Sequence, residues 1–117
     1  MDILDRLLGH DYATTRELLH LARQATDEQL DRVFPIDDRS VRQTFAHMIE
    51  NVAIWSDLIA ERPVERRPPD HSLDGLLRAH EQNYAAFADL ARRIQNEDRL
   101  DEVFVDTLDV PPTEKRF

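Results

Sequence analysis

The 117-residue sequence contains no cysteine. That excludes disulfides, thiolate metal ligands and a cysteine nucleophile, and leaves only nitrogen and oxygen ligands for any metal site. Nowhere does an apolar run approach the ~18 to 20 residues needed to cross a bilayer. The opening stretch "MDILDRLLGHDYATTRELL" carries acids early and a charge every few positions, so it lacks the basic region and unbroken apolar core of a signal peptide. These absences predict a cytoplasmic protein. Basic residues are scarce as well: 15 Lys and Arg stand against 24 Asp and Glu, for a formal net charge of -9 at pH 7. A nucleic-acid binder needs a basic stripe to displace counterions from phosphates. The one basic cluster, Arg62, Arg66 and Arg67, is diluted by Glu61, Glu65 and Asp70. Neither a nucleic-acid nor a membrane partner is expected.

What is present fits a soluble globular chain, with 41% hydrophobic and 33% charged residues. The length predicts a single domain over 1–117, with no internal repeat. Three segments show helical periodicity and none longer than a few residues alternates like a strand, which predicts an all-α fold. The first helix is expected over about 3–24, with Leu4, Leu7, Leu8, Leu18, Leu21 and Ala22 on one face. Thr26 before Asp27, Glu28 and Gln29 reads as the cap of one short turn, which Pro35 prevents from continuing. The second helix, about 40–61, opens on a capping box of Ser40 and Gln43 and stops near Pro63. The proline-rich "RPVERRPPDH" that follows should be extended, long enough to carry the chain back along a helix of about 20 residues. The third helix, about 72–96, is capped by Ser72, and Gly75 should fray its start by about 1 kcal/mol relative to Ala. Residues 97–117 read as irregular, except that Pro112, Thr113 and Glu114 resemble the first residues of another helix.

Several polar residues fall on apolar faces. With Phe45 at zero degrees, His47 lies near 200° and Asn51 near 240°, inside an arc that holds Trp55, Met48, Ile54 and Leu58, while Glu50, Asp57 and Glu61 lie opposite. His80 falls near the centre of a stripe of Leu73, Leu77, Tyr84 and Phe87. Asp11 lies mid-arc on the first helix and His10 at its edge, whereas His20 and His71 should be solvated. A buried imidazole needs partners for its nitrogens. A lone histidine on an apolar face is more often a hydrogen-bonded core residue than a ligand. Trp55 reads as a core anchor, with pocket wall as the alternative. His47 and His80 lie at similar depths, about 11 and 12 Å from the starts of their helices, so parallel helices would set them level and antiparallel ones would bring His80 toward His10. Neither direction sets all three at one level.

The segments "HDYATTRELLHLA", "TDEQLDRVFPIDDRSVRQTFAHMIENVAIWSDLIAERP" and "HEQNYAAFADLARRI" together resemble the DinB-like family of four-helix bundles, over nearly the whole chain. The most specific element is His47 followed two turns later by Trp55. The resemblance implies an up-down-down-up bundle with a long crossover between its second and third helices, here with three long helices and the fourth truncated. Many family members hold a divalent metal on three histidines, one from helix two and a His-x-x-x-His pair from helix four. His47 then corresponds to the first ligand, and the pair has no counterpart; His10 and His80 are the remaining metal-ligand candidates, with Asp11 and Asn51 as surrounding groups. The implied activity is that of a divalent-metal-dependent enzyme using Zn or Ni, of thiol-dependent transferase or isomerase type, with a thiol cosubstrate and a small-molecule substrate. The alternative is a non-catalytic helical module acting through homo-oligomerisation, as a dimer, or through partner binding. A bundle short of one helix would expose a groove lined by Met48, Val52, Leu77 and Tyr84 and so favour self-association.

Overall fold

Each helix begins where a side-chain oxygen satisfies a free backbone N–H. The structure, a computed structural model, describes residues 2–66 and 70–116. Helix α1 spans Ile3–Ala22, with the Asp2 carboxylate accepting from the Asp5 N–H at 2.9 Å. The short helix α2, Asp27–Asp31, opens on a capping box between Thr26 and Gln29, and α3, Val41–Ile59, opens on one between Ser40 and Gln43. Helix α4 spans Leu73–Asn96, and the Ser72 hydroxyl accepts from the Gly75 N–H at 3.0 Å.

Helices α3 and α4 end on one device. Glu61 (φ 59°) and Asp98 (φ 56°) sit in the left-handed region just past α3 and α4. Around them Arg62 N–H donates to the Asp57 carbonyl at 2.8 Å and Arg99 N–H to the Ile94 carbonyl at 2.9 Å, the reversal that closes a helix C-terminus. This stops α3 two residues short of position 61, ahead of Pro63.

Gly75 corrects the expectation of a frayed helix start. It is buried, and a Cβ there would lie 2.6 Å from the Asp70 carbonyl oxygen and 2.7 Å from the Asp70 Cβ. The glycine admits the incoming chain against the first turn rather than loosening it. Part of the expected extended crossover, including Arg67, Pro68 and Pro69, lies outside the described residues.

Helix α4 is the central element. Helix α1 runs antiparallel to it, tied by Arg23 to Asp74, by Arg16 to Glu81 at 4.0 Å and by Arg92 to Asp5 at 2.8 Å. Helix α3 runs alongside α4 in the same direction. Phe45, Ala46 and Ile49 meet Leu76 and Leu77 in a core that also takes Leu19 from α1, and the Asn83 amide donates to the Ile49 carbonyl at 3.1 Å. Leu19 and Leu76 are fully buried, each contributing about 1.5 to 3 kcal/mol relative to an exposed side chain. Leu77 belongs to this core, not to a groove, because parallel packing turns it toward Phe45 and Ile49.

Arg42 ties three segments together at the top of α3. Its Nε donates to Asp31 at 2.7 Å, its Nη2 to Asp27 at 2.8 Å and its Nη1 to the His71 carbonyl at 2.7 Å.

The segment after α4 is not irregular and begins no helix. Strands β1, Val103–Asp106, and β2, Thr113–Arg116, pair antiparallel with Phe104 opposite Lys115 and Asp106 opposite Thr113. The fold is therefore mostly helical with a small two-stranded sheet. The strands escaped the alternation test because Phe104 and Asp106 point inward while Val103 and Val105 face out, so polarity runs against burial at Asp106. Phe104 packs on Ile54 and Leu58 and anchors the hairpin to the lower half of α3. No described helix is long and apolar enough to cross a membrane.

Candidate functional site on the open side of the helices

Asp11 and His80 line a cavity shared by α1, α3 and α4, whereas Asn51 and Trp55 line a hollow between α3, α4 and the hairpin. His47 is exposed on α3, with its Nε2 3.2 Å from the Asn51 amide nitrogen one turn on. With the amide nitrogen as the donor, Nε2 is the acceptor and the ring proton sits on Nδ1.

The apolar arc that seemed to bury His47 is two contact faces. Phe45, Ala46 and Ile49 face α4 in the upper half of the helix, while Ile54 and Leu58 face the hairpin in the lower half. His47 shares the angular position of Ile54 and Leu58, about 200° against about 180° and 220°. It sits two turns above Ile54, and its side chain is exposed.

His80 is a core histidine. It is buried, its Nε2 lies 3.0 Å from the Tyr12 carbonyl, and its ring stacks on Tyr12 with centroids 5.0 Å apart. A carbonyl only accepts, so Nε2 carries the proton and offers no lone pair to a metal. Tyr12 also stacks on Tyr84 at 4.4 Å, which makes a three-ring column between α1 and α4. Below it lies a cavity of about 50 Å³ between Leu8 and Asp11 of α1, Ile49 and Val52 of α3, and Tyr84 and Phe87 of α4. Asp11 and His10 are exposed on α1.

The three histidines do not converge. Among the described residues no group of three or more His, Asp or Glu side chains is placed to hold a metal ion. Nor, among them, is any buried side-chain polar atom left without a hydrogen-bond partner, so none is held ready for an absent ligand. The donor set that a three-ligand Zn or Ni centre requires is not assembled by these residues.

A second hollow, of about 420 Å³, lies lower on the same side, walled by Val52, Trp55, Ile59, Phe87 and Phe104. Trp55 is 37% exposed and meets Phe104 edge-on at 6.1 Å, so it is a pocket wall rather than a core anchor. Lys115 Nζ stands 5.2 Å over the Trp55 ring and donates to Asp106 at 2.6 Å. The Lys115 hydrogen bond, helped by the Leu108 N–H at 3.0 Å, holds the Asp106 carboxyl below its ordinary range against the opposing effect of burial. The same pair raises Lys115. Sequence reasoning missed this Trp55–Lys115–Asp106 arrangement because it depends on the hairpin. Its one visible signal was the short apolar run Val103–Val105 ahead of the turn prolines Pro111 and Pro112.

No family model, curated protein or solved structure matches the chain.

Proposed function

We propose that this chain is a DinB-like helical module that acts by associating with a second copy across the open side between α1 and α3. The observation that carries the reading is the apolar surface left there: Leu7 is 64% exposed, Leu18 45%, Met48 41% and Trp55 37%. Apolar side chains on neighbouring faces of one groove mark an association surface more often than a solvated one. The antiparallel α1–α4 pair and the parallel α3–α4 pair support an up-down-down order of the kind the DinB resemblance implies. In that order the groove is where a further helix would lie. Analytical ultracentrifugation tests the proposal: a concentration-dependent dimer is expected, and a monomer throughout the micromolar range would refute it.

A second reading keeps the family's chemistry. His47 is exposed, and a divalent ion such as Zn or Ni would bind its Nε2 in place of the hydrogen bond from the Asn51 amide. Further ligands would then have to be supplied across the association surface, and only the completed centre would support a thiol-dependent transferase or isomerase reaction on a small molecule. Elemental analysis of the purified chain beside His47→Ala separates the readings. Stoichiometric metal that the substitution removes supports a centre, and its absence from both leaves the module without one.

A further inference from the structure

The exposed face of α1 is itself patterned. Leu4, Leu7, Asp11, Thr14, Leu18 and Leu21 recur at alternating steps of three and four residues, the spacing of a coiled-coil seam. Leu8, Thr15 and Leu19 are buried on the neighbouring face, toward α4. The seam is a separate stripe, with Leu7 64%, Leu18 45% and Leu21 53% exposed, and with Asp11 and Thr14 exposed between them. Burial in this fold uses one side of α1 and leaves a second, regular apolar side largely exposed, with Leu4 half-buried and Leu18 beside Val41 and Met48 of α3.

The seam is also a palindrome. Laid antiparallel against itself about a two-fold axis near Tyr12 and Ala13, it sets Leu4 opposite the partner's Leu21, Leu7 opposite the partner's Leu18, and Asp11 opposite the partner's Thr14. Apolar layers close both ends, and in the middle a threonine hydroxyl is placed to donate to a carboxylate. His10 and Glu17 flank the seam on one side, each one residue before a seam position. The same arrangement puts His10 beside the partner's Glu17, an imidazole donor against a carboxylate, twice by symmetry. Sliding the helices by one heptad would instead press Asp11 against a leucine and desolvate its charge, so the polar layer selects one register.

We propose that α1 is the self-association element: two copies pair their α1 helices antiparallel in this register, as an isologous contact. The inference rests on the homo-oligomer reading and specifies which helix, which direction and which register carry it. The occupant is a second copy of this chain because both the apolar layers and the polar pairs are complementary to themselves.

The absence of native cysteine makes the register measurable. Leu7→Cys and Leu18→Cys chains are mixed under mild oxidation, with each alone as the control. The mixture is expected to form a disulfide dimer. Each variant alone should not, because like positions lie about 16 Å apart along the axis, beyond the reach of a disulfide. Cross-linking of either variant alone as efficiently as the mixture would overturn the register. In a parallel arm, sedimentation of Glu17→Arg is expected to show roughly tenfold weaker dimerisation, restored by combining it with His10→Glu. No change in Glu17→Arg would also count against the proposal. A wild-type dimer that fails both arms sinks this interface while leaving self-association standing, and a wild-type monomer sinks both.

Discussion

Replacing Gly75 with alanine sets two forces of opposite sign against each other. In an open helix position the change would add up to about 1 kcal/mol of stability, by removing conformational freedom from the unfolded chain and improving helix propensity. At Gly75 the new methyl would meet the Asp70 carbonyl oxygen at 2.6 Å, its Cβ at 2.7 Å and its Cγ at 2.9 Å. Asp70 cannot simply retreat. Its carboxylate accepts from the Ser72 N–H at 3.1 Å and the Ser72 hydroxyl at 3.0 Å, and the next residue's carbonyl is held by Arg42 at 2.7 Å. Overpacking against a fixed neighbour costs about 1 to 3 kcal/mol. If the loop yields instead, the Ser72 cap is disturbed, at about 1 kcal/mol. The net expectation for Gly75→Ala lies between no gain and a loss of about 2 kcal/mol. Gly9 supplies the control, since a Cβ there would find nothing within 4 Å. Gly9→Ala should gain about 0.5 to 1 kcal/mol. Urea unfolding followed by helical circular dichroism reads both. Equal stabilisation of the two variants would refute the packing argument at α4.

Arg42→Ala should lose about 2 kcal/mol. Most of this comes from the charge-assisted bond to the His71 carbonyl, because the Asp27 and Asp31 side chains are 91% and 56% exposed and their pairing is screened. Arg42→Lys should recover little, lacking the fork that reaches three acceptors, and thermal unfolding of both variants checks this. Glu61→Gly should stabilise by about 1 kcal/mol by relieving a left-handed backbone at the α3 terminus, provided urea midpoints rise without a change in slope. Because the folded Asp106 carboxyl lies below its unfolded value, near 3.9, its contribution is complete above that value and lost as the pH falls through the folded one. Trp55, the only tryptophan, should report hairpin loosening as a fluorescence change below about pH 4. An unchanged acid transition in Asp106→Asn would contradict the assignment.

The helical part of this fold was legible wherever local chemistry decides. The Ser40–Gln43 box and the Thr26 cap mark helix starts in the sequence because a cap involves residues three apart and nothing distant. The hairpin was not legible. Its strands are four residues each, and its inward side pairs Phe104 with a carboxylate that Lys115 makes tolerable, so hydrophobic alternation could not flag it. The site was legible in part. Angular position correctly put His80 inside, where the Tyr12 carbonyl receives it. It misjudged His47 because one apolar arc served two different neighbours at two different heights, and periodicity carries no height. Gly75 was misread for a related reason: propensity scales describe a helix in isolation, and this turn has another segment lying on it.

The arrangement of helices also bears on how the molecule comes apart. Helices α1 and α3 each pack against α4 more closely than against one another, and the hairpin is held through Phe104 and α3. Opening is therefore hierarchical: α1 can peel from α4 while the α3–α4 pair persists, and the hairpin can release without disturbing either. Amide exchange should be slowest along the α4 segment around Leu76 and His80 and faster in the outer helices. In a single copy, where α1 has no partner helix, α1 and the hairpin are thus the layers expected to detach first, around an interior that opens only when the whole domain unfolds.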